Sequence, residues 1–224
     1  MKTTNQFHWG INVGKKFLAT TLMITGMSAI SPVARAQAVN LGQAENYSTL
    51  SLDYPTKSTQ AAITDAFSAG TFVDSLASSS SFASENGFTL INTTYAAGVV
   101  TAGVQVKTTI SLADKDYVID MSTIHLAGST LDINAPAGAK VILDVSGVFL
   151  VAGGQIVVTG GLSPKNLLIE LSGSAGGVGT VYYGKIEGTI LAPKREVAVL
   201  GASLIQGGVY AAQTVVFPPA IVSP

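Results

Sequence analysis

The chain has 224 residues, of which 47% are hydrophobic and only 11% are charged, with 12 basic and 13 acidic side chains. It contains no cysteine and two histidines, which excludes a cysteine nucleophile and a histidine cluster for zinc. The sequence therefore favours a structural or binding protein over a metalloenzyme.

The first 36 residues have the pattern of a secretory signal peptide. A polar segment is followed by an apolar run at 17–30, and small residues favour cleavage after Ala36 or Ala38. The apolar run is too short to cross a membrane comfortably. We therefore expect an exported chain without a membrane span, located outside the cell or on its surface, with the periplasm as the alternative.

Cleavage would also change the net charge of the chain. It removes four basic residues and no acidic one, so the mature chain would have about eight basic against thirteen acidic side chains. A net charge of about −5 argues against nucleic acid and anionic membranes as partners.

Residues 58–93 are predicted to form a helical cover and a connector, after an extended segment at 37–57. Ile63 and Phe67 stand four residues apart, a spacing that places both side chains on one side of a helix from Ser58 to about Ser78. A helix of this length needs a partner surface for its stability. We therefore expect it to pack on the rest of the fold.

Two stretches near the C-terminus, 186–192 and 205–211, repeat each other at an interval of 19 residues. Self-similarity at this period, in β-branched and glycine-rich sequence, is typical of a chain that winds into stacked coils. The repeat extends upstream when these positions are aligned: Gly128, Gly147, Asn166, Gly188 and Gly207.

The residues two and three places after each aligned position are almost all apolar. Because successive strand residues point to opposite sides, two adjacent apolar columns predict a sheet covered on both sides. A coil of about 19 residues is long enough for three short sides. The predicted fold is mainly β: a right-handed parallel β-solenoid of about six coils of about 19 residues over 94–217, with an α-helix packed along one face.

Residues 218–224 are predicted as a C-terminal tail with neither a sorting motif nor a membrane segment. Ile221 and Val222 in this tail either cap the last coil or pair with a second copy of the chain. Together with Phe217 they are the candidate self-association residues, and stacking of coil ends is the route to filaments. Without an anchor, we expect release or retention by non-covalent assembly.

The sequence offers little catalytic machinery. His125 is the only histidine after cleavage, and alternation makes it an ordinary outward strand residue. Asp132 and Glu170 fall at the same offset two coils apart, so their carboxylates would lie roughly 9 to 10 Å apart, near the separation in inverting glycosidases. No aromatic platform accompanies them. We predict a non-enzyme without cofactor or metal, and a polysaccharide-active or carbohydrate-binding solenoid stays as an alternative.

Four stretches, 135–147, 165–170, 188–193 and 205–211, resemble the choice-of-anchor A family of exported bacterial proteins, which includes collagen-binding-type adhesin domains. The last two also resemble ice-binding proteins of the β-solenoid type. These resemblances imply a solenoid with a helix and a role in adhesion or in extracellular or biofilm matrix. The implied partner is an extracellular protein, a polysaccharide surface or a second copy of the chain. No threonine ladder follows the aligned positions, so ice binding is kept as an alternative.

Overall fold

A computed structural model of the protein describes residues 38–53, 56–92, 96–97 and 106–224. The predicted signal peptide, residues 1–36, lies outside these ranges and stays a prediction. Within the described part of the chain, no helix has the length and apolar character needed to cross a membrane.

The described residues are mainly β, with two α-helices and two short 3-10 turns, at Gly42–Asn46 and Pro164–Asn166. The helices are α1 (Gln60–Ser78) and α2 (Ser80–Glu85). The strands are β1 (Thr49–Ser51), β2 (Phe88–Asn92), β3 (Ala96–Ala97), β4 (Lys107–Ser111), β5 (Asp116–Met121), β6 (Thr123–Ala127), β7 (Thr130–Asn134), β8 (Val141–Val145), β9 (Phe149–Ala152), β10 (Gln155–Thr159), β11 (Leu167–Glu170), β12 (Gly179–Tyr182), β13 (Lys185–Glu187), β14 (Thr189–Leu200), β15 (Leu204–Gln206), β16 (Val209–Val216) and β17 (Ile221–Ser223).

These strands pair in parallel in three ladders. The first contains β2, β5, β8, β11, the first halves of β14 and β16, and β1. The second contains β3, β6, β9, β12 and the second halves of β14 and β16, and the third contains β4, β7, β10, β13, β15 and β17. We call the outer surface of the first ladder the covered face, that of the second ladder the open face and that of the third ladder the polar face. Because the chain visits the ladders in turn, the parallel strands fit a solenoid.

The 19-residue spacing holds only near the C-terminal end of the described chain. Leu191 pairs with Tyr210, 19 residues later. Farther upstream in the same ladder, Ile142 pairs with Leu168, 26 residues later. The coil length of about 19 residues predicted for the whole solenoid is therefore wrong.

The upstream alignment of Gly128 with Gly147 is wrong for the same reason. Gly128 precedes β7 in the third ladder, whereas Gly147 precedes β9 in the second. The turns at 160–166 and 171–178 add residues between strands without adding a strand, so equivalent positions recur at unequal intervals. The glycine-rich stretch 172–179 could be recognised from the sequence as an inserted turn, but the turn at 160–166 could not.

The inward side chains of the three ladders form one hydrophobic cluster. Ile119, Ile124 and Leu131 supply one fully buried side chain from each ladder, and Phe149 is the largest fully buried residue. Burial of such side chains supplies most of the stability of a fold without disulfides.

Gly207, in the second copy of the repeat, lies against the backbone of Gly188 in the first copy. A Cβ atom at Gly207 would collide with the Gly188 carbonyl oxygen, and φ there is +151°. We expect Gly207→Ala to lower the free energy of unfolding by roughly 1 to 3 kcal/mol, because a clash with backbone cannot relax by side-chain rotation.

Gly128→Ala is the matched control for that substitution. Its φ is also positive, +68°, but no heavy atom lies within 4 Å of the position that a Cβ would occupy. Urea denaturation of both variants separates the collision from the backbone strain. Equal losses of stability would show that the contact with Gly188 does not matter.

Helix α1 lies on the covered face. Its buried residues, including Ile63 and Leu76, form a second hydrophobic cluster with outward residues of the first ladder such as Ile142 and Leu191. The helix continues through Gly70, where a Cβ would lie 2.5 Å from the Pro193 ring. The first ladder is thus buried on both sides, which explains its continuous apolar runs.

Both ends of the described chain add strands to the ladders. Leu50 of β1 pairs with Tyr210 of β16, so β1 covers one edge of the last strand in the first ladder. Val222 of β17 pairs with Ile205 of β15. The residues predicted as a C-terminal tail therefore include the last strand of the third ladder.

Candidate functional site

The three outer faces offer different surfaces to a partner. The covered face is buried by α1 and by the segment around β1. A partner therefore has access to the polar face and to the open face.

On the polar face, charged and hydroxyl side chains pair with one another. Asp132 is 2% exposed, accepts a hydrogen bond from Thr159 Oγ1 at 2.7 Å and forms an ion pair with Lys107 Nζ at 2.7 Å. Burial alone would raise the pKa of Asp132, but the hydrogen bonds from Lys107 and Thr159 outweigh it and lower that pKa. Glu187 pairs with Lys185 in the same sheet. A partner on this face would have to compete with these contacts.

The open face carries little charge: its two main columns contain no Asp, Glu, Lys or Arg, and Glu196 lies just outside them in the same ladder. Alternate residues of each strand face outward and form columns across the strands, with about 4.8 Å between neighbours. His125 is the only Asp, Glu, His, Lys or Arg side chain in the two main columns. The first column is His125, Leu150, Thr180, Ala198 and Val215, and the second is Ala127, Ala152, Tyr182 and Leu200.

Large apolar side chains are exposed on this face and at its edges. Tyr182 is 46% exposed, Val148 is 47% exposed and Val178 is 45% exposed. Grouped apolar exposure of this kind marks interaction surfaces on soluble proteins. Because the strands beneath are paired in a ladder, the face would lose little conformational entropy on binding.

The structure does not bring the three predicted self-association residues into one patch. Phe217 is 56% exposed, and its N–H donates to the Val199 carbonyl at the end of the open face. Ile221 is 59% exposed on the polar face. Val222 packs against the main core cluster, which is the capping role considered from the sequence.

The predicted carboxylate pair does not form. Asp132 lies on β7 in the polar face, whereas Glu170 lies on β11 beneath α1. The separation expected from the sequence assumed that both residues occupy the same position in coils of equal length, and the unequal turns remove that assumption. This pair cannot cleave a glycosidic bond.

Glu170 instead belongs to a buried acidic cluster. It pairs across the ladder with Asp144, and the two are 1% and 5% exposed. Burial raises the pKa of Asp144 to about 6 and raises that of Glu170 well above its ordinary value, and Asp74 on α1 raises both pKa values further. Among the described residues, no group of three or more His, Cys, Asp or Glu is arranged to hold a metal ion.

Sequence reasoning missed the open face because the repeat was aligned through positions that precede strands of different ladders. That alignment placed Leu150 of the second ladder in one column with Leu191 of the first. The signal that could have found the face is the alternation of buried aliphatic residues with small or weakly polar ones at intervals of about 18 to 30 residues. Its buried members are Leu126, Val151, Val181 and Val199.

Comparison with known proteins gives one finding. A family model described as "Putative Ice-binding-like adhesive domain" matches residues 7–215. A search of curated proteins and a search of solved structures each returned no match.

Proposed function

Because the chain belongs to the family of ice-binding-like adhesive domains, we propose that it is a non-enzymatic adhesion module and that the open face is its binding surface. The observation that carries this proposal is the pair of outward columns that contain no Asp, Glu, Lys or Arg. Covering these two columns removes water from no Asp, Glu, Lys or Arg side chain, whereas covering the polar face does. The partner that fits is an extensive, weakly polar extracellular surface.

We extend the proposal to the finer features expected from the sequence. Connections between parallel strands are almost always right-handed, which supports a right-handed solenoid, and the six strands of the third ladder support six coils. The signal-peptide pattern at 1–36 supports export to the cell surface or beyond. The stretches 135–147 and 188–193 support kinship with choice-of-anchor A adhesins.

Adhesion to a partner is favoured over assembly into filaments. Coil ends that stack must offer free strand edges. Among the described residues, the edge strands β1 and β17 at the C-terminal end are each three residues long, and edge strands this short offer few backbone groups for stacking. We therefore propose that the face, rather than the end, makes the adhesive contact.

A pair of charge substitutions tests the open face. In the double variant Leu150→Asp with Ala198→Asp, both carboxylates would have to be dehydrated on contact, so we expect adsorption to a methyl-terminated monolayer to fall at least tenfold. Quartz-crystal microbalance on the mature chain measures this adsorption. The control is Gln206→Asp with Ser223→Asp, which adds the same charge at exposed positions of the polar face. Equal loss in both variants would contradict the assignment.

Ice is the second candidate surface. The family description and the regular strand spacing of the open face favour it, although only Thr180 among the two main columns is a threonine. The expected result is inhibition of ice recrystallisation at micromolar protein that disappears in the Leu150→Asp with Ala198→Asp variant. Ordinary crystal growth in the presence of the unchanged chain would eliminate this candidate.

A further inference from the structure

A groove runs along the corner between the open face and the polar face. Its volume is ≈ 320 Å³, which reaches the lower end of the range for small-ligand pockets. Four glycines, Gly128, Gly153, Gly154 and Gly184, contribute to its lining. At Gly128 and Gly153 no heavy atom lies within 4 Å of the position of a Cβ, so the absence of side chains leaves backbone open to a ligand.

Tyr183 stands in this corner in a conformation that tyrosine rarely adopts. Its φ is +49°, and it is the only non-glycine residue with positive φ in the described part of the chain. Such a conformation costs roughly 1 to 2 kcal/mol. The side chain is nevertheless 56% exposed, so burial of its ring does not account for the strain. Strain held at an exposed side chain points to a functional role.

The ring of Tyr183 is supported from one side. Its atoms lie 3.0 Å from the position that a Cβ would occupy at Gly201, so the ring rests on glycine backbone. Tyr182 packs against it edge-on, with ring centroids 4.4 Å apart. The tyrosine ring is thus a fixed aromatic platform beside the groove.

Polar groups line the groove near this platform. Gln155 Nε2 donates to Thr130 Oγ1 at 2.9 Å, which leaves the amide oxygen and a second N–H of Gln155 for other partners. Ser129 is 3% exposed, and its hydroxyl has no hydrogen-bond partner among the described residues. Lys185 is paired with Glu187, so these two side chains add no net charge.

We propose that the corner groove binds a neutral sugar unit of an extracellular polysaccharide. The C–H side of a pyranose ring would pack on Tyr183, and its hydroxyls would exchange hydrogen bonds with Gln155, Thr130 and Ser129. An uncharged amide, two hydroxyls and an aromatic platform fit a neutral sugar better than an anion or a metal. This site adjoins the open face, since Tyr182 of that face packs against Tyr183, but the proposal does not rest on the adhesive contact.

The test uses a substitution that removes the ring but tolerates the backbone. Asparagine adopts the left-handed region more readily than tyrosine, so Tyr183→Asn should leave the melting temperature unchanged or slightly higher. The probes are cellohexaose, laminarihexaose, xylohexaose and chitohexaose, with binding followed by NMR titration of the mature chain. We expect at least one probe to bind and Tyr183→Asn to weaken that binding at least tenfold.

Phe217→Asn is the matched control, because Phe217 is also 56% exposed but lies outside the groove. Binding in this control and in the Leu150→Asp with Ala198→Asp variant should equal that of the unchanged chain, whatever happens to surface adsorption. Two outcomes would overturn the proposal. One is that none of the four probes binds, and the other is that Tyr183→Asn binds as the unchanged chain does.

Discussion

The free energy of unfolding is expected to rise as the pH falls from about 8 to about 5. Asp144 is buried beneath α1, and burial raises its pKa from 3.8 to about 6. Its charged form is therefore less favourable in the folded chain than in the unfolded chain. The stabilisation that comes from protonating Asp144 is complete below the pKa of this carboxyl in the unfolded chain and is lost as the pH rises through about 6. Its full size is roughly 2 to 3 kcal/mol. Glu170 acts in the same direction.

The opposite trend takes over in stronger acid. The pKa values of Asp132 and Glu187 are lowered in the folded chain, since hydrogen bonds from Lys107 and Lys185 outweigh the effect of burial. The stability that these two ionised carboxylates contribute is present above their pKa values in the unfolded chain. It is lost as the pH falls through their lower pKa values in the folded chain. Stability should therefore pass through a maximum in weak acid.

Urea denaturation at pH 8, 6.5 and 5 measures this dependence. Asp144→Asn and Glu170→Gln should each stabilise the chain at pH 8 and flatten the pH dependence, because a neutral amide replaces a buried charge of similar shape. Asp114→Asn is the control, since Asp114 is exposed and its loss should leave the dependence unchanged. Stability that falls between pH 8 and 5 in the unchanged chain would contradict the burial of these groups.

Arg195→Met is expected to lower the free energy of unfolding by roughly 3 kcal/mol. Arg195 is 3% exposed, and its guanidinium donates to the Gly177 carbonyl at 2.8 Å and to the Gly147 carbonyl at 2.9 Å. These glycines belong to two different turns, so one side chain fastens both to the ladder beneath. Methionine fills part of the space but leaves the two carbonyls without their donor.

The neighbouring lysine supplies the control. Lys194 Nζ donates to Asp74 Oδ2 at 2.9 Å, but its side chain is 57% exposed. Exposed ion pairs contribute less than about 1 kcal/mol, so Lys194→Met should change the unfolding midpoint little. Thermal and urea unfolding of both variants check the contrast. A loss for Lys194→Met as large as that for Arg195→Met would show that charge, rather than buried hydrogen bonding, matters here.

The parallel β architecture could be predicted from the sequence because it depends on local patterns. The repeat at 186–192 and 205–211 aligns correctly with the ladder, as the pairing of Leu191 with Tyr210 shows. The spacing of Ile63 and Phe67 likewise indicated a helix in the segment that forms α1. Both signals are sequence periodicities: the interval between strands that pair in one ladder, and the spacing of side chains on one side of a helix.

The site could not be predicted, because it depends on turn lengths that the repeat showed only for the stretch 172–179. The turn between β11 and β12 and the one between β10 and β11 shift the second ladder relative to the first. Without that shift, Leu150 would be equivalent to the buried Leu191, and Asp132 would lie in one column with Glu170, two coils away. The corner groove depends on the conformation of Tyr183, which its sequence neighbours do not reveal.

A labelling experiment on the adsorbed chain tests the adhesive role of the open face most directly. Tyr182 lies in the second open-face column, and Lys107 is 59% exposed on the polar face. After adsorption, residues are modified with a tyrosine-iodinating reagent and a lysine-acetylating reagent, and their reactivities are compared with those in solution. We predict that Tyr182 becomes protected while Lys107 remains reactive. Protection of Lys107 with Tyr182 still reactive would place the contact on the polar face and contradict the account.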